Sequence, residues 1–295
     1  MLEANIVAAG IPSVGRIVTS WQPAPAVLVS CASAAVLYAL GVARRSRPWP
    51  ARRAFAFAVG LLAVVVALDS GLDVYADSLV SIHMVQHLVL MIVAAPLLVA
   101  GAPVRLALGA AHGPTRRRLA GILVSRPVRI ITHPVSTWLL FIGLIVGWHL
   151  SPLYELSVRH ELLHDLEHLL LLTTAVLFWA QVVRVDPLPR PLGAVGRLLY
   201  LLSAMPAMSV IGVWLVVAHG LRYPSYAASA HALGVSPLYD QHVAGVIMWG
   251  GDALIGAITL LIACGALLRE ERRAAARDAY GAASGTPLEI GGGTR

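Results

Sequence analysis

The chain has 295 residues, of which 58% are hydrophobic and only 13% are charged, and its mean hydropathy is +0.77. Soluble domains carry roughly 25% charged residues, so this composition excludes an ordinary soluble α/β enzyme. The net charge of +7 rests on 22 basic residues, and all of them are arginine. The arginines stand in short groups between apolar stretches, which is typical of a multi-pass membrane protein and not of a nucleic-acid-binding protein.

Seven apolar stretches are long enough for the ~20 residues that cross a bilayer as a helix. We therefore predict an all-α integral membrane protein, in which these stretches form a seven-helix transmembrane bundle. The expected spans are residues 25–43, 54–70, 79–100, 131–150, 160–183, 197–219 and 241–268.

The arginines also predict the orientation of the bundle. Nineteen of the 22 lie in the loops after the first, third and fifth expected spans or in the C-terminal tail. Because cytoplasmic loops carry the excess of basic residues, we expect the N-terminus outside and the C-terminus in the cytoplasm. The chain then divides into a short extracytoplasmic segment (1–24), a seven-span transmembrane domain (25–268) and a basic, disordered cytoplasmic tail (269–295).

Nine of the eleven histidines fall on the side expected to face outside. His83 and His87 are four residues apart, so both project from one face of the third span. His164 and His168 repeat this spacing on the fifth span, and His149 closes the fourth span at the same end. Ionisable side chains inside a bilayer are costly unless they face the bundle interior and find partners. The pattern predicts a metal or haem site, with hydrogen-bonded packing histidines as the plainer alternative.

Imidazole with nearby thioether sulfur and no thiolate suits copper best, while zinc and iron remain alternatives. Glu167, next to His168, is expected to support a ligating histidine and fix its tautomer. The expected metal ligands are His83, His87, His164 and His168, with His149 and Met248 as secondary ligands.

Several segments together carry a resemblance to a known family. They are HMVQH at 83–87 with Pro96, WHLSPLY at 148–154, HDLEH at 164–168, YPSY at 223–226, and Asp240-Gln241 followed by Gly245 and Met248. In order and sidedness they resemble the polytopic CtaG family of cytochrome c oxidase assembly factors, which is associated with caa-type oxidases in bacteria. The resemblance covers about residues 25–268.

This resemblance implies a multi-pass protein of the bacterial plasma membrane that helps to build active oxidase at an outward-facing copper centre. Its partners would be oxidase subunits and the lipid bilayer, with no nucleic acid. Asp240 and Gln241 would then support the metal ligands together with Glu167. Many copper chaperones use cysteines, and the outward side of this chain has none, so tight capture of Cu(I) by thiolates is not expected.

We therefore expect a non-enzymatic assembly factor that binds copper and helps deliver it to an oxidase subunit. Two other classes of function remain open. A haem-binding membrane protein would use histidine pairs of the third and fifth spans as axial ligands. A membrane metal-dependent oxidoreductase would use the HxxxH boxes, although such boxes normally face the cytoplasm, and the arginines place these outside.

Overall fold

The computed structural model describes residues 14–283, and this part of the chain is all-helical with no strand. The helices are, in chain order, α1 (Val14–Thr19), α2 (Pro25–Ala43), α3 (Ala51–Asp69), α4 (Gly71–Ala76), α5 (Val80–Leu88), α6 (Ala95–Ala100), α7 (Pro103–Ala110) and α8 (Gly113–Leu123). They continue with α9 (Arg126–Ile131), α10 (Pro134–His149), α11 (Pro152–Arg159), α12 (Glu161–Val183), α13 (Ala194–Leu202), α14 (Met205–Val216), α15 (Ala227–Ala232) and α16 (Pro237–Ala283).

Six helical segments in the described range are long and apolar enough to cross a membrane. They are Pro25–Ala43, Ala51–Asp69, Val80–Ala110, Glu161–Val183, Ala194–Val216 and Pro237–Gly265. A seventh is obtained if α10 and α11, which meet at an angle of 75°, are taken as one broken span. Large apolar side chains such as Leu37, Phe55 and Leu261 are 70–72% exposed, as the outside of a membrane protein requires. The prediction of an all-α protein with several membrane-spanning helices is confirmed, whereas the count of seven spans and the orientation stay predictions.

The fourth expected span, 131–150, is shorter in the structure than the sequence pattern predicts. Pro134 occupies the first turn of α10 because a proline has no N–H to lose there, and His133 Nδ1 accepts a hydrogen bond from the N–H of Val135. The helix ends at His149, since Ser151 caps a new helix and Pro152 lies in its first turn. Residues 152–159, expected to be a loop, therefore form α11.

The third span contains a π-helical segment, Val89–Ala94, between α5 and α6. In this segment the N–H of Ala95 donates to the carbonyl of Leu90, five residues earlier. The next bond of the series would join residue 96 to the carbonyl of Met91, but residue 96 is proline and has no N–H. The indole Nε1 of Trp179 on α12 donates to the Met91 carbonyl instead, at 2.7 Å. The third and fifth spans are thereby joined in the middle of the bundle.

Helices α14 and α16 approach each other closely at a pair of glycines. A Cβ placed on Gly245 would lie 2.6 Å from the carbonyl oxygen of Gly212, and a Cβ on Gly212 would lie 2.7 Å from the carbonyl oxygen of Gly245. Only residues without a side chain permit this approach. The hydroxyl of Ser209 on α14 also donates to the carboxylate of Asp252 on α16, so the two helices are fixed to each other by packing and by a polar contact.

The last helix runs beyond residue 268, where the sequence places the end of the seventh span. Residues 269–283 continue α16 and consist mainly of alanine, arginine and glutamate, which are strong helix formers. Part of the tail expected to be disordered is thus helical in the structure, in keeping with its helix propensity. Residues 284–295 lie outside the described residues, as do residues 1–13, and the prediction of a disordered tail beyond 283 stays a prediction.

Candidate metal site

Five histidines from three helices meet in the bundle interior. They are His83 and His87 on α5, His149 at the end of α10, and His164 and His168 on α12. Six pairs of their rings have centroids only 4.4–5.6 Å apart. All but His164 are buried, with at most 4% of their surface exposed. The structure thus brings together all five histidines that the sequence singled out, and we call this group the histidine cluster.

The two closest nitrogens of the cluster are His83 Nε2 and His87 Nε2, which are 2.9 Å apart. Two nitrogens at this separation can each lie about 2.0 Å from one ion, at an angle near 90° at the metal. His83, His87 and His168 each offer a nitrogen, and these three atoms lie within 4.8 Å of one another. The donor set has the spacing and the chemistry of a transition-metal site.

Several ring nitrogens of the cluster are buried without a hydrogen-bond partner. His149 Nδ1 lies 2.9 Å from the carbonyl of Ile145 and must be the donor there, which leaves Nε2 with a free lone pair in the neutral ring. That Nε2, like Nε2 of His164 and of His168, makes no hydrogen bond among the described atoms. Buried polar atoms without partners are rare and require an explanation. Lone pairs that converge in this way are available to a metal ion.

Glu167 lies at the edge of the cluster and is 3% exposed. Its Oε2 accepts a hydrogen bond from the Ser157 hydroxyl at 2.7 Å, and that hydroxyl also receives the indole N–H of Trp148 at 3.4 Å. Its Oε1 lies 3.6 Å from His87 Nε2 and has no hydrogen-bond partner. Ser157 can reach Glu167 because the 75° bend folds α11 back over α12. The bend between α10 and α11 therefore supplies the hydrogen-bond donor that orients Glu167.

Asp240 and Gln241, expected to support metal ligands, bind backbone groups and the Ser81 hydroxyl in the structure. Asp240 on α16 accepts hydrogen bonds from the N–H of Val80 at 2.7 Å and from the N–H and hydroxyl of Ser81. It thereby caps the start of α5, the helix that carries His83 and His87. Gln241 accepts from the N–H of Arg222 at 2.6 Å and fixes the turn after α14. Through these hydrogen bonds Asp240 fixes α16 to α5, and Gln241 fixes α16 to the turn after α14.

Met248, expected as a secondary ligand, is fully buried on α16 and belongs to the main apolar core. Met84 and Met91 on the third span are equally buried and lie in the same core. This core fills the space between α5, α6, α10, α12, α14 and α16, with Trp179 and Phe178 among its largest side chains. Met248 thus packs in the core in this structure, and its role as a secondary ligand stays a prediction.

Tyr226 is a residue of the site that the sequence pattern did not reveal. Its hydroxyl lies 2.7 Å from His83 Nδ1 and 3.4 Å from the hydroxyl of Tyr154. Burial raises the pKa of Tyr226 well above its usual range, so the phenol stays protonated at neutral pH. The segment YPSY at 223–226 was visible in the sequence, but 143 residues separate Tyr226 from His83. Nothing in local periodicity connects positions so far apart.

A hydrogen bond to a titratable carboxyl group, that of Asp73, links α4 to α5, the helix that carries His87. Gln86 donates from Nε2 to the Ala67 carbonyl at 3.0 Å and to Asp73 Oδ1 at 2.8 Å. Asp73 lies on the short helix α4, outside the membrane-spanning segments. Burial raises the pKa of its carboxyl from the ordinary 3.8 to about 7.

This shift makes stability depend on pH. Between about pH 4 and pH 7 the folded state binds more protons at Asp73 than the unfolded state does, so the free energy of unfolding falls as the pH rises through this window. We expect Asp73→Asn, which cannot ionise, to lose less stability between pH 4.5 and pH 7.5 than the wild type. Thermal unfolding of the two proteins in detergent measures the difference, and equal pH slopes would contradict the assignment.

The fold and the site define a class of protein: a multi-pass helical membrane protein with a buried histidine cluster between its spans. A family model described as cytochrome c oxidase caa3 assembly factor (Caa3_CtaG) matches residues 36–270. The chain belongs to this family.

Curated relatives come from mycobacteria. The uncharacterized proteins Mb0105 of Mycobacterium bovis and MT0111 of Mycobacterium tuberculosis are each 29% identical to the chain over 278 residues. The uncharacterized protein ML1998 of Mycobacterium leprae is 27% identical over 279 residues. Each alignment covers 90% of this chain but only 42% of the relative, so the chain spans about two-fifths of the length of these relatives. No solved structure matches the chain.

Proposed function

We propose that the chain is a multi-pass protein of the bacterial plasma membrane that binds copper at the histidine cluster and helps deliver it to a subunit of cytochrome c oxidase. The observation that carries the proposal is the convergence of five histidines, four of which (His87, His149, His164 and His168) have a buried ring nitrogen without a hydrogen-bond partner. Membership of the assembly-factor family supports an oxidase as the client. Copper is cargo in this role, and the role is not enzymatic.

The proposal includes a topology with seven spans, the N-terminus outside and the C-terminus in the cytoplasm. Seven spans follow when the bent pair α10 and α11 is counted as one. The distribution of the arginines supports the orientation. In this arrangement residues 1–24 are extracytoplasmic, 25–268 form the transmembrane domain and 269–295 are cytoplasmic. The histidine cluster then lies toward the outer side, because α5 and α12 both begin there.

The ligand set favours a bare ion over haem. A haem with two axial histidines needs room for the flat macrocycle between the two rings. In the cluster the rings of the third and fifth spans contact each other directly, with His83 only 5.0 Å from His164 and His87 only 5.3 Å from His168 between centroids. Imidazole ligands without thiolate suit copper, with zinc as the nearest competitor. His83, His87, His164 and His168 are the proposed principal ligands, with His149 and Met248 secondary.

Metal content and an optical spectrum of the same sample test the proposal. The full chain is purified in detergent, loaded with copper and passed over a chelating resin. We expect about one copper ion per chain to remain, since the ligands form one connected cluster, and no Soret band. Protein that stays free of copper after loading would overturn the proposal, and a Soret band in copper-free protein would replace it by the haem alternative.

A further inference from the structure

Glu167 does not make the contact expected of a carboxylate that orients a metal-binding histidine. A carboxylate that fixes the tautomer of a ligating histidine accepts a hydrogen bond from that histidine. Glu167 Oε1 lies 3.6 Å from His87 Nε2, which is beyond hydrogen-bond distance, and it has no other partner. A buried carboxylate oxygen without a partner is costly. A cation between Oε1 and the neighbouring nitrogens would remove this cost.

A second group of potential ligands surrounds that oxygen. His87, His149 and Glu167 each offer one ligand atom, and these atoms lie within 4.8 Å of one another. All three side chains are buried, with at most 3% of their surface exposed. His149 Nε2 has a free lone pair, because the proton of the neutral ring is on Nδ1, which donates a hydrogen bond to the Ile145 carbonyl. Two imidazoles and a carboxylate are a familiar ligand set for divalent zinc and copper.

The two ligand groups share His87, and the Nε2 atom of this ring has a near neighbour in each group. His87 Nε2 is 2.9 Å from His83 Nε2 on one side and 3.6 Å from Glu167 Oε1 on the other. One nitrogen lone pair holds one ion at a time. The two groups therefore cannot be filled together through this atom, but an ion can change from one to the other without releasing His87.

We propose that the histidine cluster contains two alternative metal positions that share His87: one completed by His83 and His168, and a second completed by His149 and Glu167. This inference rests on the proposed function and deepens it. An ion moves between the positions by exchanging two imidazole nitrogens for one imidazole nitrogen and one carboxylate oxygen, with no change in its oxidation state. Glu167 is thus a direct ligand of the second position.

The negative charge of Glu167 stabilises a divalent ion in the second position. In the first position every ligand is an uncharged imidazole, so the full charge of the ion is buried in the bundle. Glu167 is buried whichever position is filled, but only in the second position does its carboxylate contact the ion directly, and buried charges are favourable only when closely paired. This direct pairing lets the second position compete with the three imidazoles of the first for a divalent ion. The Ser157 hydroxyl, on the other oxygen of Glu167, keeps the carboxylate oriented toward His87.

The test uses the full chain in detergent, loaded with Cu²⁺ and passed over a chelating resin. His83→Phe/His168→Phe removes the first position while keeping rings in the core, and we expect this variant to retain about one copper ion through His87, His149 and Glu167. Adding Glu167→Gln should reduce bound copper at least tenfold. Adding Asp165→Asn instead is the matched control, because it removes an exposed carboxylate from the same helix, and copper should stay bound.

The single variant Glu167→Gln provides a readout that does not depend on removing histidines. Electron paramagnetic resonance of Cu²⁺ should show nitrogen and oxygen ligands in the wild type and only the nitrogen-ligated species in this variant. If His83→Phe/His168→Phe binds no copper, or if Glu167→Gln leaves the wild-type spectrum unchanged, the second position does not exist, although copper binding by the wild type would still uphold the proposed function. If the wild type binds no copper, the proposed function itself fails.

Discussion

Replacing His87 and His168 together by alanine is expected to abolish copper binding by the purified protein. The two side chains lie on different helices, with ring centroids 5.3 Å apart, and His87 belongs to both potential ligand groups. Loss of two imidazoles leaves too few ligands for a closed site. We expect bound copper to fall at least tenfold after a chelating resin, measured by elemental analysis, and cytochrome c oxidase activity to fall in membranes of a host that depends on this protein.

His160→Ala is the matched control for this experiment. His160 is exposed and precedes α12, the helix that carries His168, so its loss removes an imidazole from the same region without touching the cluster. Copper content should remain at the wild-type level. Because alanine in a buried position also leaves a cavity, the helical circular dichroism and the elution volume of each variant must be recorded. A folded double variant that still holds copper would contradict the ligand assignment.

Gly245→Ala is expected to cause the largest loss of stability of any single methyl addition in the last helix. The new Cβ would lie 2.6 Å from the Gly212 carbonyl oxygen and 2.7 Å from a methyl group of Val216. Backbone atoms cannot turn aside, so α14 and α16 would have to separate. Overpacking of a rigid contact costs about 1–3 kcal/mol. Thermal unfolding in detergent should show a clearly lower midpoint for this variant than for the wild type.

Gly250→Ala, on the same helix, separates the steric effect from helix propensity. A Cβ on Gly250 would meet no atom within 4 Å. Alanine favours a helix over glycine by about 0.5–1 kcal/mol, so this variant should be as stable as the wild type or slightly more stable. If both alanine variants unfolded at the same temperature, the close approach of Gly245 to Gly212 would not be a determinant of stability.

The histidine cluster could be predicted largely from the sequence, because helical periodicity is local information. A spacing of four residues places His83 above His87 on α5, and the same holds for His164 and His168 on α12. The cost of burying such groups in a bilayer directs both faces toward the bundle interior. His149 is expected near His87 because it closes the fourth span at the same side of the membrane at which the third span begins.

The supporting residues could not be predicted in this way. Tyr226 reaches His83 from a turn far along the chain, and Asp240 caps α5 from the last helix. Ser157 reaches Glu167 only because Ser151 and Pro152 end one helix and start another at a sharp angle. Contacts of this kind depend on where whole helices lie relative to each other. A single sequence carries no direct signal of that arrangement.

The hydrogen bond from Trp179 to the Met91 carbonyl has a mechanical consequence. The third span lacks a backbone bond at this point because of Pro96, and a side chain of α12 replaces it. Trp179 lies about three turns along α12 from His168, on the same continuous helix. A rigid displacement of α12 at the cluster is therefore transmitted through this hydrogen bond to the π-helical segment of the third span, where the backbone ladder is interrupted.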